Sequence, residues 1–452
     1  MVEVPVKLYI HNLAKLAKSS ARACAGLPTG IKDRALRAMA ERLRDSEEAI
    51  LAANTEDVET VGKNLDREAG KEAVKRVRFT DTTVKEIADL LTNIAELPDP
   101  VGAVTRIWRR PTGIEVSRVR TPLGVIAVIT ELGPVNTTET LALCLKAGNA
   151  TILRVGADWS RTHRAIMKVI GDAALETGIP AGAISFVDRT EKEGALELMR
   201  LSNFVDVLIA NGGGGLRKTV LEQAKMPVLC AEGGVSHVYI DAEADLPLAQ
   251  NVVVNSKVQD PTQSNSVDTL LVHQAIARAL LPGLVRRLLE EFKIAVKGCP
   301  VTVSLAGTAD LSHYASVKPV TSEDWGKQSL GKVLAIKVVK SMDEALDHIS
   351  QHGPGLVDVI VTRDYGAAMR FVREVDSSGV LVNASTRLHE GGEYGIGGHV
   401  GMSLNRIHAR GPIGLEQLTT EKYVVMGSGQ LRHPHPVPTT YEDAIMLKRG
   451  GI

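Results

Sequence analysis

The sequence predicts an α/β protein with two parallel-sheet domains behind a helical lead-in. Three observations carry this reading. Short β-branched runs alternate with helix-length segments from Gly124 to Cys230, the alternation resumes after Asp241, and residues 7–96 show helical spacing only. A chain of 452 residues also exceeds what one core ordinarily holds, so at least two domains are expected.

In the lead-in, IKDRALRAMAERLRDSEEAILAAN repeats apolar residues at three and four and is rich in strong helix formers, which implies solvent-facing helices. VTRIWRRPTGIEVSRVRTPLG then alternates polar and apolar residues around Pro111-Thr112-Gly113, the pattern of a hairpin with a tight turn. GVIAVIT, ATILR, AISFV, VDVLIA and MPVLC read as strands separated by helices, hence βαβ units and a doubly wound nucleotide-binding domain. After Asp241 come a helix through Lys257, the strand TLLVH, the long helix ALLPGLVRRLLEEF, strands VTVSL and VLAIKVV, a helix, VDVIVT, a helix and VLVNAS. That is a second α/β domain. The tail after Met426, rich in Gly, His and Pro without periodicity, reads as a loose arm.

Lys plus Arg equals Asp plus Glu at 53 each, so no global field favours nucleic acid or an anionic membrane, and any anionic ligand must be held by local groups. An aromatic share of 3% removes the stacking platforms that single-stranded nucleic acid needs. Cys24, Cys144, Cys230 and Cys299 form no CxxC pair and have no His at ligand spacing, which argues against disulfides and metal and for a reducing compartment. The start, MVEVPVKLYIHNLAKLAKSS, reads as an amphipathic helix rather than a signal, and no stretch reaches membrane-span length. A cytoplasmic location is expected.

Four segments carry chemistry-bearing residues. Asn211-Gly212-Gly213-Gly214-Gly215-Leu216-Arg217-Lys218 lies between the strand VDVLIA and a helix. Its glycines let backbone amides close on a phosphate at a helix start; a ligand-free turn is the plainer alternative, and the place after a strand favours the ligand. Arg154, with Asp158 four residues on, sets a cation and a carboxylate at the carboxyl end of a parallel strand, where a cofactor's ribose and phosphate are gripped; a surface ion pair explains them equally. The loop Asp260-Pro261-Thr262-Gln263-Ser264-Asn265-Ser266, taken unaided, is a turn. Asn383-Ala384-Ser385-Thr386-Arg387, ahead of EGGEYGIGGHVG and HARGPIG, places a guanidinium beside hydroxyls, apt for a carboxylate or phosphate, against a structural loop.

RTPLGVIAVI, LALCLKAGNATILR, the glycine turn, HVYIDAEADL, DTLLVH, EDWGKQSLGKVLAIKVV, REVDSSGVLVNASTR and GGEYGIGGHVGMSLNRIHARGPIGLEQLTTEKYVV run in order from about residue 7 to 430. Together they resemble the γ-glutamyl phosphate reductases (glutamate-5-semialdehyde dehydrogenases) of the aldehyde dehydrogenase superfamily. The resemblance implies an aldehyde-dehydrogenase-like fold: a Rossmann-type nucleotide-binding domain at 1–104 and 124–240, an α/β catalytic domain at 241–402, a small β oligomerisation flap at 105–123 and 403–426, and a C-terminal arm at 427–452. It implies NADPH-dependent reduction of L-glutamate 5-phosphate to L-glutamate 5-semialdehyde in proline biosynthesis, a homo-oligomer (dimer or tetramer), and glutamate 5-kinase as a partner. Carried over position by position, the nucleophile falls on Ser264 with Asn265 beside it. The cofactor falls on Arg154, Asp158, Gly212, Gly213 and Gly215, and the substrate on Glu131, Asn383, Ser385, Thr386 and Arg387.

The family pattern has a cysteine where this chain has Ser264, whose hydroxyl is far less ionised than a thiol and whose ester accepts hydride less readily than a thioester. Its Glu-Ser-Arg-Pro-Asn reads Glu131-Leu132-Gly133-Pro134-Val135, and its Pro-Arg-Gly-Gly-Lys reads Ala210-Asn211-Gly212-Gly213-Gly214. Its Glu-Tyr pair reads Gln328-Ser329, and its Gly-His-Thr reads Gly355-Leu356-Val357. Cys230, in MPVLCAEGG, lies near the segment where other aldehyde dehydrogenases place a general-base Glu, with Glu232 one position off that register; a buried strand-end cysteine is the favoured reading. The family reaction therefore stands first. Behind it stand a catalytically impaired or repurposed binding or regulatory subunit, and a reductase of a less anionic acyl substrate.

Overall fold

The computed structural model describes residues 4–63, 67–230, 233–308, 317–406 and 408–431. The lead-in is helical as expected, with helices Val6–Ala25, Thr29–Asp45, Glu47–Lys63, Arg67–Val77 and Asp81–Glu96. Their apolar stripes follow the three-and-four spacing: Leu36, Met39, Ala40 and Leu43 on one, Val84, Ile87, Ala88 and Leu91 on another, all buried in one core with the first sheet.

Among the described residues that first sheet has five parallel strands in the order Ile184–Val187, Ala150–Val155, Val125–Thr130, Val207–Asn211 and Val228–Cys230. The chain builds outward from Val125–Thr130 on one side and then crosses to its other side. The second sheet has seven strands, paired in parallel, in the order Val317–Pro319, Ala295–Gly298, Val333–Val339, Thr269–His273, His237–Ile240, Val357–Val361 and Gly379–Val382.

Two expectations change here. The strand His237–Ile240, assigned to the nucleotide-binding domain by a boundary at 240, pairs on both sides within the seven-stranded sheet, so the chain changes sheets before residue 237. VTVSL is not a strand: Pro300–Thr308 is a helix, and the neighbouring strand is Ala295–Gly298. Proline suits the first turn of a helix, and Thr302 and Ala306 are buried four residues apart, a helical period hidden inside a β-branched run.

The third sheet is antiparallel, Val104–Arg109 with Glu115–Pro122 and Thr419–Met426. Its tight turn is closed by Gly113 N donating to Arg110 O at 2.9 Å, and Gly113 takes φ +87, where a side chain is strained. Of the segment 403–426, only Thr419–Met426 joins this sheet; Ala409, Ile413, Leu415 and Leu418 are buried in the core of the first domain instead. Residues 432–452, most of the expected arm, lie outside the described residues.

Candidate active site

In open parallel sheets, ligands settle at the carboxyl ends of the strands where the strand order reverses. Here that point lies between Val125–Thr130 and Val207–Asn211, whose ends are joined by Glu131 N donating to Asn211 O at 2.8 Å. The glycine turn follows directly, with Gly213 as the N-cap of the helix Gly214–Gln223. Its first amide is already occupied: Gly213 N donates to Glu131 Oε2 at 2.9 Å. A Cβ on Gly212 would stand 2.6 Å from that same oxygen, so Gly212 is required by the Glu131 carboxylate. At Gly214 and Gly215 a Cβ meets open space. The anion expected at this helix start is thus supplied by the chain itself, a carboxylate satisfying an otherwise unpaired terminal donor.

Arg154 ends the neighbouring strand and is buried; its Nη2 donates to Thr190 O at 2.7 Å and its Nε has no partner. Burial pulls the Arg154 pKa down, against the opposing pull of Glu131 and Glu191. Asp158 does not join it. Asp158 pairs with Arg76 at 3.0 Å at the surface, so it forms an ion pair, but with a residue of the helical lead-in and not with Arg154. Asn211 Nδ2 donates to Val400 O at 3.0 Å, while its buried Oδ1 has no partner. Two buried polar atoms, a donor and an acceptor, thus lie without partners at the switch point.

The second cluster forms at the amino end of the seven-stranded sheet. The loop Asp260–Ser266 leaves the helix Leu246–Val258 and enters the strand Thr269–His273. Asp260 organises it, Oδ1 accepting from Thr262 N at 3.0 Å and Oδ2 from Gln263 Nε2 at 3.2 Å. Ser264 is half-buried, and Asn265 Nδ2 donates to His389 O at 3.0 Å. That bond brings the 383–389 loop against it. Ser385 Oγ lies 3.2 Å from Ser256 Oγ, Thr386 N donates to Ser256 Oγ at 3.1 Å, and Arg387 Nε donates to Gln259 Oε1 at 2.7 Å. Asn383 is turned to other work. At φ +55 it uses Oδ1 and Nδ2 on Thr362 N and O, each at 2.9 Å, and closes the turn rather than facing the cluster. Buried polar atoms without partners gather around this loop: Asn265 Oδ1, Ser266 Oγ and Thr386 Oγ1.

Beneath Ser264 lie groups that sequence reading did not single out as a site. Lys257 is fully buried, and its Nζ donates to Ser329 Oγ at 3.1 Å. Burial lowers the Lys257 pKa, opposed by Asp268. Asp268 is pushed the other way, burial raising its pKa against hydrogen bonds from Ser329 and Ser236 and the charge of Lys257. Asp268 Oδ1 accepts from Ser329 N at 2.9 Å. A lysine on the inner face of an apolar helix and an aspartate opening the run TLLVH are the signals that mark this pair in the sequence.

Residues 8–303 match the aldehyde dehydrogenase family model. A γ-glutamyl phosphate reductase from Thermodesulfovibrio yellowstonii is 40% identical over 427 residues, 94% of this chain and 99% of its own length. The chain belongs to the γ-glutamyl phosphate reductase family. The crystal structure of the γ-glutamyl phosphate reductase from Thermotoga maritima superposes with a TM-score of 0.89 at 36% identity, covering 94% of this chain and 100% of that one. An engineered glycolyl-CoA reductase with bound NADP+ shares the fold, with a TM-score of 0.63 at 15% identity over 92% of this chain and 97% of its own. The aldehyde-dehydrogenase-like α/β architecture expected from the sequence is the one found.

Within that γ-glutamyl phosphate reductase fold, Ser264, Asn265, Ser385, Thr386 and Arg387 come together, and Glu131, Arg154, Gly212 and Gly213 form the other cluster. Glu232 and the side chain of Cys230 lie outside the described residues. Among the described residues no group of three or more His, Cys, Asp or Glu is arranged to hold a metal ion, and no helix is long and apolar enough to cross a membrane.

Proposed function

We propose that this chain reduces L-glutamate 5-phosphate to L-glutamate 5-semialdehyde with NADPH, the reductive step of proline biosynthesis, in the cytoplasm. The similarity over 94% of the chain, at 40% identity to a named γ-glutamyl phosphate reductase, carries the reading. In it Ser264 Oγ takes the acyl group and phosphate leaves; the hydroxyl proton departs with it. NADPH, when bound, would supply a hydride to the acyl carbon; the Ser264 ester C–O bond then breaks, the aldehyde leaves and Ser264 Oγ regains a proton from solvent. Arg154 and the 212–215 turn would hold the dinucleotide, the guanidinium of Arg154 supplying positive charge for its phosphates. Arg387, its guanidinium pKa lowered by burial and drawn to Asp260 of the Ser264 loop, is the cation for the substrate's anionic groups.

A second reading follows from one observation: among the described residues, which leave out Glu232, nothing is hydrogen-bonded to Ser264 Oγ, and a hydroxyl is a weak nucleophile unless a base activates it. On that reading the chain binds cofactor and substrate but turns over slowly or serves as a regulatory subunit. Oxidation of glutamate 5-semialdehyde with NADP+ and phosphate, followed at the nicotinamide band, separates the two. Turnover by the wild type supports the reductase. Turnover only in Ser264→Cys supports the silent site, and none in either variant removes the family reaction.

The antiparallel sheet is proposed as the contact between copies in a dimer or tetramer. Ile107, Tyr423, Val425 and Met426 leave it with exposed apolar surface, and Trp108 lies edge-on to Tyr423 at 6.3 Å. Light scattering of the wild type beside Tyr423→Glu tests it. Glutamate 5-kinase, which makes this acyl phosphate, is the partner the reading implies, and co-purification tests that contact.

A further inference from the structure

We propose that Gln328 is a positioning residue that sets the orientation of Ser264. The inference rests on the proposed role of Ser264 as the acylated residue. Gln328 Nε2 donates to Ser264 O at 2.9 Å and to Gly234 O at 3.2 Å, so one carboxamide ties the Ser264 loop to the segment where the chain passes between the two sheets. Room for it is built in. A Cβ on Gly233 would stand 2.5 Å from Gln328 Oε1 and 3.3 Å from its Cδ.

The next residue grips the other end of the same segment. Ser329 N donates to Asp268 Oδ1 at 2.9 Å, and Ser329 Oγ, which accepts from Lys257 Nζ at 3.1 Å, donates to the same carboxylate oxygen at 3.1 Å. Asp268 is buried and cannot follow a moving loop. Leu330 then holds φ +40, a conformation a leucine keeps only where its surroundings enforce it. Consecutive residues 328 and 329 thus clamp Ser264 and Asp268, the two ends of a five-residue segment. The Ser264 hydroxyl is left free, and the direction of its Cα–Cβ bond is set by the carbonyl that Gln328 holds. Among the described residues both hydrogen bonds of Gln328 go to main chain, so its hold on the loop acts through Ser264.

The test uses Gln328→Leu and Gln328→Met, which keep the bulk and drop the donor, in the wild-type and Ser264→Cys backgrounds. Turnover should fall about tenfold or more with KM within about twofold, while alkylation of residue 264 by iodoacetamide in the Ser264→Cys background rises about fivefold as the loop loosens. Cys24 and Cys144, both buried, should stay unlabelled and report an intact fold. Unchanged alkylation overturns the inference even if every variant lacks turnover, which would instead remove the reductase reading. Labelling that spreads to Cys24 and Cys144 in both variants also overturns it, as loss of fold rather than of a clamp.

Discussion

Among the described residues three lysines are fully buried, and they are not treated alike. At the base of the first domain, Lys32 Nζ lies 2.5 Å from Asp99 and donates to Lys146 O at 2.9 Å. Lys146 Nζ in turn lies 2.5 Å from Asp33 and donates to Ala95 O at 2.8 Å. Each has a carboxylate and a carbonyl. Lys257, under Ser264, reaches only the Ser329 hydroxyl, with Asp268 at one remove. A buried cation with full compensation joins elements together; one left short of partners keeps its charge state adjustable, which is of use beside a reacting group.

Removing one partner of a compensated pair should therefore be the costliest change. Lys146→Met is expected to lose about 3–5 kcal/mol of unfolding free energy, because it strands Asp33 and breaks the tie between the helices Thr29–Asp45 and Pro134–Lys146. Lys257→Met should cost less than half as much, since Asp268 keeps its hydrogen bonds to Ser329 and Ser236. Urea denaturation of both variants decides it. Equal losses would erase the distinction between the two sites.

Glu139 extends the contrast to pH. It sits on the helix Pro134–Lys146 against the 397–400 segment, with Oε1 accepting from His399 N at 3.2 Å, and burial raises its pKa to about 7. The folded state then holds a proton that the unfolded state has released, so stability falls as pH rises from about 4.5 to about 7 and stays low above it. Glu139→Gln should remove that slope and gain about 1–3 kcal/mol at pH 8. Unfolding at pH 5 and pH 8 is the measurement, and a wild-type curve flat between them would contradict it.

The fold was legible because periodicity reports burial directly: the strand runs from Val125 to Cys230 have five sheet positions behind them. VTVSL failed because a short β-branched run has no unique period, and only its burial four residues apart reveals a helix. At the site, local pattern located the Ser264 and 385–387 loops but not their union, which rests on bonds such as Asn265 to His389 spanning 124 residues. Gln328 was visible only as a departure from the family pattern, and its hold on Ser264 O required the fold. Asp158 shows the reverse error, since a cation and a carboxylate four residues apart suggest a pair until Arg76, distant in sequence, claims the carboxylate.

The smallest effect tests how the switch point differs from the lysine base in kind. At the buried lysines the chain satisfies its own groups permanently, whereas at Gly213 an exposed carboxylate, drawn also by the charge of Arg154, fills a position that suits a phosphate. A cofactor phosphate arriving at this helix start must displace Glu131 or share the site with a like charge, and either lowers affinity. Glu131→Ala frees the amide, and NADPH should then bind about threefold to fivefold more tightly, a gain of about 1 kcal/mol. Protein fluorescence titration with NADPH reads this without any need for turnover. Weaker binding in the variant would instead make the carboxylate a partner of the cofactor's hydroxyls, and the cap seen at Gly213 would be its resting place between those contacts.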